Sequence, residues 1–399
     1  MALRHLLSRH FKFGRKPPVE ASPVRHYVYR KQLLREDNVV EPLRCGLEAF
    51  AAMLKAIAAA RNYVHLETYT ITDDAVGRQF QQALIERAKA GVTVRLLYDW
   101  IGSYELPEQF ADTLRAGGVH VAEFHPIAPW RPRRGFNQRD HMKILVVDGE
   151  WGFTGGINIA ASYAPLESGG GGWFDMHARM RGQVVRDLDS LFARTWRTAT
   201  GERLTPDVQA HASPRGPHML AAIIDNFGLR NRSNKRIAYL RAIRAARTSI
   251  CLMNAYFIPD FLLRHALGSA VRRGVRVHVI VPEVNDVPVV QYASRHLYPR
   301  LLRAGVRIHE WPARMMHAKT GVIDGAWSTI GSYNIDRRSM FHNLEASVVV
   351  ADLEFGKRMQ LIFDAELTKS REVVLSECLD RPLLVKLRQW FFYLWRYWL

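Results

Sequence analysis

The chain has 399 residues, 48% of them hydrophobic, enough to bury more than one core. It carries 56 Lys and Arg against 38 Asp and Glu, a formal net charge of +18, and so implies an anionic partner, either membrane lipid or nucleic acid. Three scattered thiols, Cys45, Cys251 and Cys378, argue against a disulfide framework and for a reducing compartment.

In chain order, residues 1–35 are basic with scattered apolar positions, and contain no stretch long enough for a signal peptide or a membrane span. From there the chain repeats itself. Ala60 to Glu67 aligns with Ala246 to Met253, and Ala90-Gly91-Val with Arg273-Gly274-Val. Each repeat predicts helix, apolar strand, helix, apolar strand, helix, strand and then a motif. Such alternation predicts a mostly parallel sheet covered by helices. Glu67 closes an apolar run. An acid there either lines the ligand crevice at a strand end or serves as a cap or salt bridge.

The motif is the most specific signal. The first copy places His141, Lys143 and Asp148 before Gly155, Gly156 and Asn158. The second places His317, Lys319 and Asp324 before Gly331, Ser332 and Asn334 at the same offsets. His and Lys two apart on a strand face the same way. The Asp-Gly pairs that follow predict hairpin turns, which makes each motif Asp a turn or framework residue. The glycines would let backbone approach a ligand, and the Asn residues add amide donors. Two facing copies would offer two imidazoles and two ammonium groups around one point. That suits a phosphodiester: one imidazole attacks phosphorus, the other protonates the leaving oxygen, and the lysines hold the charged oxygens. An imidazole in that role is oriented by an acceptor on its other nitrogen. No His, Cys or Asp cluster has metal-ligand spacing, so no metal or cofactor is expected.

The first half carries two insertions, Ile127 to Arg139 and Glu167 to Trp173. The glycines at 169–172 read as a mobile loop near the site entrance or as a solvated surface loop. The composition break from Thr200 to Pro217 predicts the domain boundary. At the C-terminus, Leu383, Leu387, Trp390, Phe391, Leu394 and Trp398 share one helical face, with Lys386, Arg388 and Arg396 outside it. That is a poor span and a good interfacial helix for anionic lipid; packing against the domain is the competing reading.

The duplicated His-x-Lys-x4-Asp phrase resembles the phospholipase D superfamily, over roughly residues 40–370. Arg338-Ser339 and Asn343-Leu-Glu345 resemble the stretch after the second motif of bacterial cardiolipin synthases, of the peripheral type without N-terminal spans. The resemblance implies an α/β fold of two phospholipase D-like domains, pseudo-twofold, with the active site at their interface. The expected organisation is a basic segment at 1–35, domains at 36–205 and 206–375, and an amphipathic helix at 376–399. It implies a catalytic set of His141, Lys143, Asp148, His317, Lys319 and Asp324, with His141 as nucleophile. Asn158, Asn334, Gly155, Gly156, Gly331 and Ser332 would hold substrate, and Asp175, Glu345 and Glu67 would support the site from behind. The implied activity is phosphatidyl transfer through a phosphohistidine to phosphatidylglycerol, at the cytoplasmic face of a bacterial membrane and without nucleic acid. A hydrolytic phospholipase D and a nuclease of the same superfamily are the alternatives.

Overall fold

The computed structural model describes residues 24–126, 137–204, 218–228, 231–312 and 314–397. The basic residues before 24, most of the first insertion (127–136), the boundary segment at 205–217 and Trp398 lie outside the described residues.

The first half runs β1 (Arg35–Leu43), α1 (Gly46–Ala58), β2 (Tyr63–Thr68), α2 (Ala75–Lys89), β3 (Thr93–Asp99), α3 (Glu108–Ala116), β4 (His120–Phe124), β5 (Ile144–Val147), β6 (Trp151–Gly155), β7 (His177–Gly182) and α4 (Gln183–Thr200). The second runs β8 (Met219–Asp225), α5 (Asn234–Ala245), β9 (Ser249–Asn254), α6 (Phe261–Arg272), β10 (Arg276–Pro282), α7 (Pro288–Arg303), β11 (Arg307–Trp311), β12 (Lys319–Ile323), β13 (Trp327–Gly331), α8 (Arg337–Phe341), β14 (Ala346–Ala351) and α9 (Leu353–Lys369). It closes with β15 (Arg371–Glu372), α10 (Leu375–Leu379) and α11 (Leu383–Leu394). The helix and strand order of the repeat is as the sequence predicts.

All strands join one sheet in the order β15-β11-β10-β9-β12-β13-β14-β8-β1-β7-β6-β5-β2-β3-β4. Outward from the β1–β8 pair the two halves read alike. That antiparallel pair, with Arg35 opposite Ala221, therefore marks the pseudo-twofold axis. The sheet is not mostly parallel. Only β2–β3–β4 and β9–β10–β11 are parallel ladders; the rest pair antiparallel. The hairpins account for two of the antiparallel pairs, β5–β6 and β12–β13. Asp148-Gly149 and Asp324-Gly325 both turn with positive φ (51° and 60°; 53° and 60°), as a two-residue hairpin with native twist requires. Such a turn can join only antiparallel strands.

Each half has its own outer core. Phe50, Phe80, Leu96 and Phe110 pack in one, Leu252, Leu267, Leu297 and Trp327 in the other. Between them lies a third cluster to which both halves contribute, including Phe192 of α4 and Phe355 and Phe363 of α9. Residues 24–34 do not stand apart as a basic segment. Val24, Tyr27, Val28 and Leu34 are buried in the core of the second half.

Candidate active site

Each motif strand begins just after an entry segment that pairs with the opposite half. Asp140 bridges to Leu344, and Met316 to Phe174. The His141 N–H donates to the Leu344 carbonyl (2.9 Å), and the His317 N–H to that of Phe174 (2.7 Å). One residue beyond each carbonyl is an acid, Glu345 or Asp175. The backbone pairing thus delivers each half's carboxylate to the other half's histidine. His141 Nδ1 lies 3.1 Å from both Glu345 oxygens. His317 Nδ1 lies 2.7 Å from Asp175 Oδ2. A carboxylate at Nδ1 fixes the proton there and leaves Nε2 as the reactive nitrogen.

Lys143 and Lys319 are buried, and each Nζ donates to the carbonyl of its own motif histidine. Lys319 also stands 4.0 Å from Asp175. Burial depresses Lys143 to about 7 and Lys319 to about 8. Burial likewise lowers His141 to about 4, even against the attraction of Glu345, and moves His317 down. In Glu345 burial opposes ionisation but does not win: His141, Lys235 and Ser332 hold it below the usual carboxylate range. These are the shifts of a buried cationic cluster awaiting an anion.

The motif aspartates lie outside this cluster. Asp148 accepts from the N–H groups of Arg61, Asn62 and Tyr63, each at 2.8 Å. Asp324 does the same for Arg247, Thr248 and Ser249, and also takes the Tyr27 hydroxyl at 2.7 Å. They are framework residues that tie each hairpin to the start of β2 or β9, so their place in a catalytic set is corrected.

The glycines are also reassigned. A Cβ on Gly156 would sit 2.3 Å from Asp175 Oδ1, and one on Gly155 2.5 Å from the His177 backbone. A Cβ on Gly331 would meet Ser347 Oγ at 2.1 Å. Gly156 makes room for the Asp175 carboxylate, and Gly155 and Gly331 for the neighbouring strands at His177 and Ser347; none of the three makes room for a ligand. Ser332 donates its hydroxyl to Glu345, and so also works from behind. Asn158 is committed to Tyr163 (2.9 Å) and the Thr70 N–H (3.2 Å), whereas Asn334 is buried with its Oδ1 unpartnered. Glu67 is not behind either histidine. It is fully buried, and burial with the neighbouring Asp140 charge raises it well above an ordinary glutamate.

Several residues escape sequence reasoning because no local pattern marks them. The Tyr163 hydroxyl lies 3.1 Å from His317 Nδ1, and the Trp173 and Tyr256 rings stand 5.8 and 6.2 Å from the His317 ring. The glycines before Trp173 form a hydrogen-bonded turn that positions it: Gly171 N–H donates to Ala161 and Gly172 N–H to Ala164. Tyr69 stands edge-on to His141 at 4.9 Å and beneath Lys143 at 5.1 Å. Asn226 receives the Glu345 N–H at 2.8 Å. Lys235, buried on α5, acts on Glu345 and is itself pushed by burial down to about 7. Among the described residues no group of His, Cys, Asp and Glu could hold a metal ion.

Two His-Lys motifs exchanging carboxylates across a pseudo-twofold axis, on a mixed α/β sheet, define a phospholipase D-like protein. The family described as "Cardiolipin synthase, PLD-like domain" matches residues 53–168 and 239–367. A cardiolipin synthase of Alkalihalophilus pseudofirmus is 34% identical over 348 residues, 86% of this chain and 68% of that protein. The major cardiolipin synthase ClsA of Bacillus subtilis is 30% identical over 392 residues, 97% of this chain and 81% of that protein. The chain belongs to the cardiolipin synthase family. Its fold is shared with the phosphatidylserine synthase of Haemophilus influenzae, at a TM-score of 0.69 and 15% identity over 90% of this chain and 95% of that one.

Proposed function

We propose that this chain, a phosphatidyltransferase of the cardiolipin synthase family, moves a phosphatidyl group through His141 to the hydroxyl of phosphatidylglycerol. His141, neutral and held by Glu345, attacks phosphorus with Nε2. The bond from phosphorus to the leaving headgroup oxygen breaks, and His317, entering this step as the imidazolium beside Asp175, gives its Nε2 proton to that oxygen and keeps its Nδ1 proton. In the second step His317 takes the proton of the incoming glycerol hydroxyl, which attacks the phosphohistidine and frees His141. One phosphodiester is exchanged for another, so no nucleotide is needed. Lys143, Lys319 and the Asn334 amide hold the non-bridging oxygens. The observation that carries this is the exchange of carboxylates: both imidazoles have Nδ1 fixed and Nε2 left for chemistry.

No described helix is long and apolar enough to cross a membrane. α11 packs on α7 through Phe392 and Tyr393, whose rings stack on Tyr292 and His296, and its other face is open: Leu383 is 71% and Leu384 80% exposed. An exposed apolar, aromatic face on a cationic protein supports peripheral binding to an anionic bilayer, at the cytoplasmic face.

The test is incubation with phosphatidylglycerol vesicles followed by mass spectrometry. Cardiolipin and free glycerol in equal amounts are expected. Phosphatidic acid alone would establish a hydrolase, and cleaved DNA without lipid turnover a nuclease.

A further inference from the structure

Beside the exposed face of α11 lies a cavity of about 200 Å³ that the proposed chemistry does not use. The start of α6, α8 and the end of α11 form its walls, and Arg264, Arg337 and Arg396 line it. None of the three makes an ion pair with a described residue. Each is held only by neutral partners. Arg264 donates to the Pro259 carbonyl (2.6 Å), and Arg396 to that of Tyr393 (3.1 Å). Arg337 stacks on the Tyr397 ring at 4.0 Å, and its buried Nε has no hydrogen-bond partner. The acid in the lining, Asp260, is bound to Arg236 at 3.0 Å and caps α6 through the Leu263 N–H.

Three guanidinium groups gathered in one concavity repel one another unless an anion joins them, and their forked donors match phosphate oxygens. Phe261 in the lining is 68% exposed, and the residues that adjoin the lining in the chain, Leu262, Leu394 and Trp395, are 41%, 46% and 52% exposed. A free phosphate has no use for such apolar side chains, whereas a lipid needs both a polar socket and a surface for its chains. We infer that this cavity binds the phosphodiester headgroup of an anionic glycerophospholipid in the bilayer, as a site separate from the catalytic one. Its wall α8 begins three residues after Asn334, so the cavity adjoins the segment that follows the second motif. The inference rests on the membrane-surface reading given above.

The test compares two variants of equal charge in vesicle binding. One is Arg264→Gln with Arg337→Gln and Arg396→Gln. The control removes three exposed arginines elsewhere, Arg186→Gln with Arg197→Gln and Arg276→Gln. On vesicles of phosphatidylglycerol in phosphatidylcholine, the cavity variant should bind at least ~10-fold more weakly than the unaltered chain, and the control within about twofold, because each basic contact near the surface contributes separately. Equal losses would reduce the effect to overall charge and overturn the inference alone. An unaltered chain that ignores anionic vesicles would overturn the membrane reading as well. Arg337→Gln by itself, with an unchanged melting temperature, should already weaken binding by about threefold; unchanged binding in that folded variant also overturns the inference. Inorganic phosphate, compared with chloride at equal ionic strength, separates the anion sources. Vesicle binding that survives phosphate supports the lipid headgroup, and phosphate held through the same three arginines at least as tightly as the vesicles would overturn it.

Discussion

His141 and His317 occupy equivalent places in the repeat but not equivalent surroundings. His141 has Glu345, Tyr69 and Lys143 close by, while His317 has Asp175, the Tyr163 hydroxyl and two further aromatic rings. Replacing either by Ala should remove nearly all transfer, and the double variant should be little worse, because residues that act as a unit are not additive. A single variant that keeps a tenth of the activity, a loss of only ~1.4 kcal/mol, would rule out a two-histidine covalent cycle. The lysines give a pH signature. Lys143 and Lys319 are depressed by burial to about 7 and about 8, so an oxyanion binds best while both are still charged. Sulfate, whose own charge does not change in this range, should inhibit with constant affinity below about pH 7. It should weaken as pH rises through 7 and 8, by at most ~10-fold per pH unit for each proton linked to binding. Lys143→Gln should flatten that profile; an unaltered slope would remove Lys143 from the anion site.

At the scale of the element, each motif hairpin is tied to β2 or β9 by one aspartate accepting three backbone N–H groups. Asp148→Ala removes a charged acceptor from three backbone donors and should cost ~1.5–3 kcal/mol of stability. The folded fraction should keep its turnover per molecule. A folded Asp148→Ala protein with full stability and no activity would return Asp148 to the chemistry. The C-terminal helix obeys a different logic, since it touches the core along one face only. Removing residues 382–399 should weaken binding to anionic vesicles and slow turnover on bilayers, while activity on short-chain dispersed lipid survives. Sedimentation with vesicles undiminished by the truncation would leave the helix a packing element alone.

Over the whole molecule, the inner core decides how the halves behave. It takes Val40, Met142 and Phe192 from the first and Met253, Ile330 and Phe363 from the second, all nearly or fully buried. Separating the halves would expose these side chains at ~1.5–3 kcal/mol for each large one. It would also strip both histidines of their carboxylates. Thermal unfolding should therefore follow one cooperative transition by calorimetry and by circular dichroism. Two resolved transitions would mean that the halves fold as independent domains.

The repeat order, the hairpins and the identity of both histidines and lysines were legible in the sequence, because each rests on spacing within a few residues: period on a strand, Asp-Gly at a turn, one phrase written twice. The need for carboxylates was legible too, and so were Asp175 and Glu345 as candidates. Which histidine each would serve was not. The crossing depends on the parallel bridges of Asp140 to Leu344 and Phe174 to Met316, contacts between chain segments more than a hundred residues apart. The same holds for the glycines. Spacing marked Gly155 and Gly156 as places of close approach, but only packing shows that Asp175 and His177 are what approach them. Tyr163, Asn226 and Lys235 left no local signal, since nothing along a single strand or helix records what the other half places against it. Local pattern determined the elements and the reactive groups; the orientation and protonation of those groups were decided by long-range packing and burial, which exist only once both halves share one core.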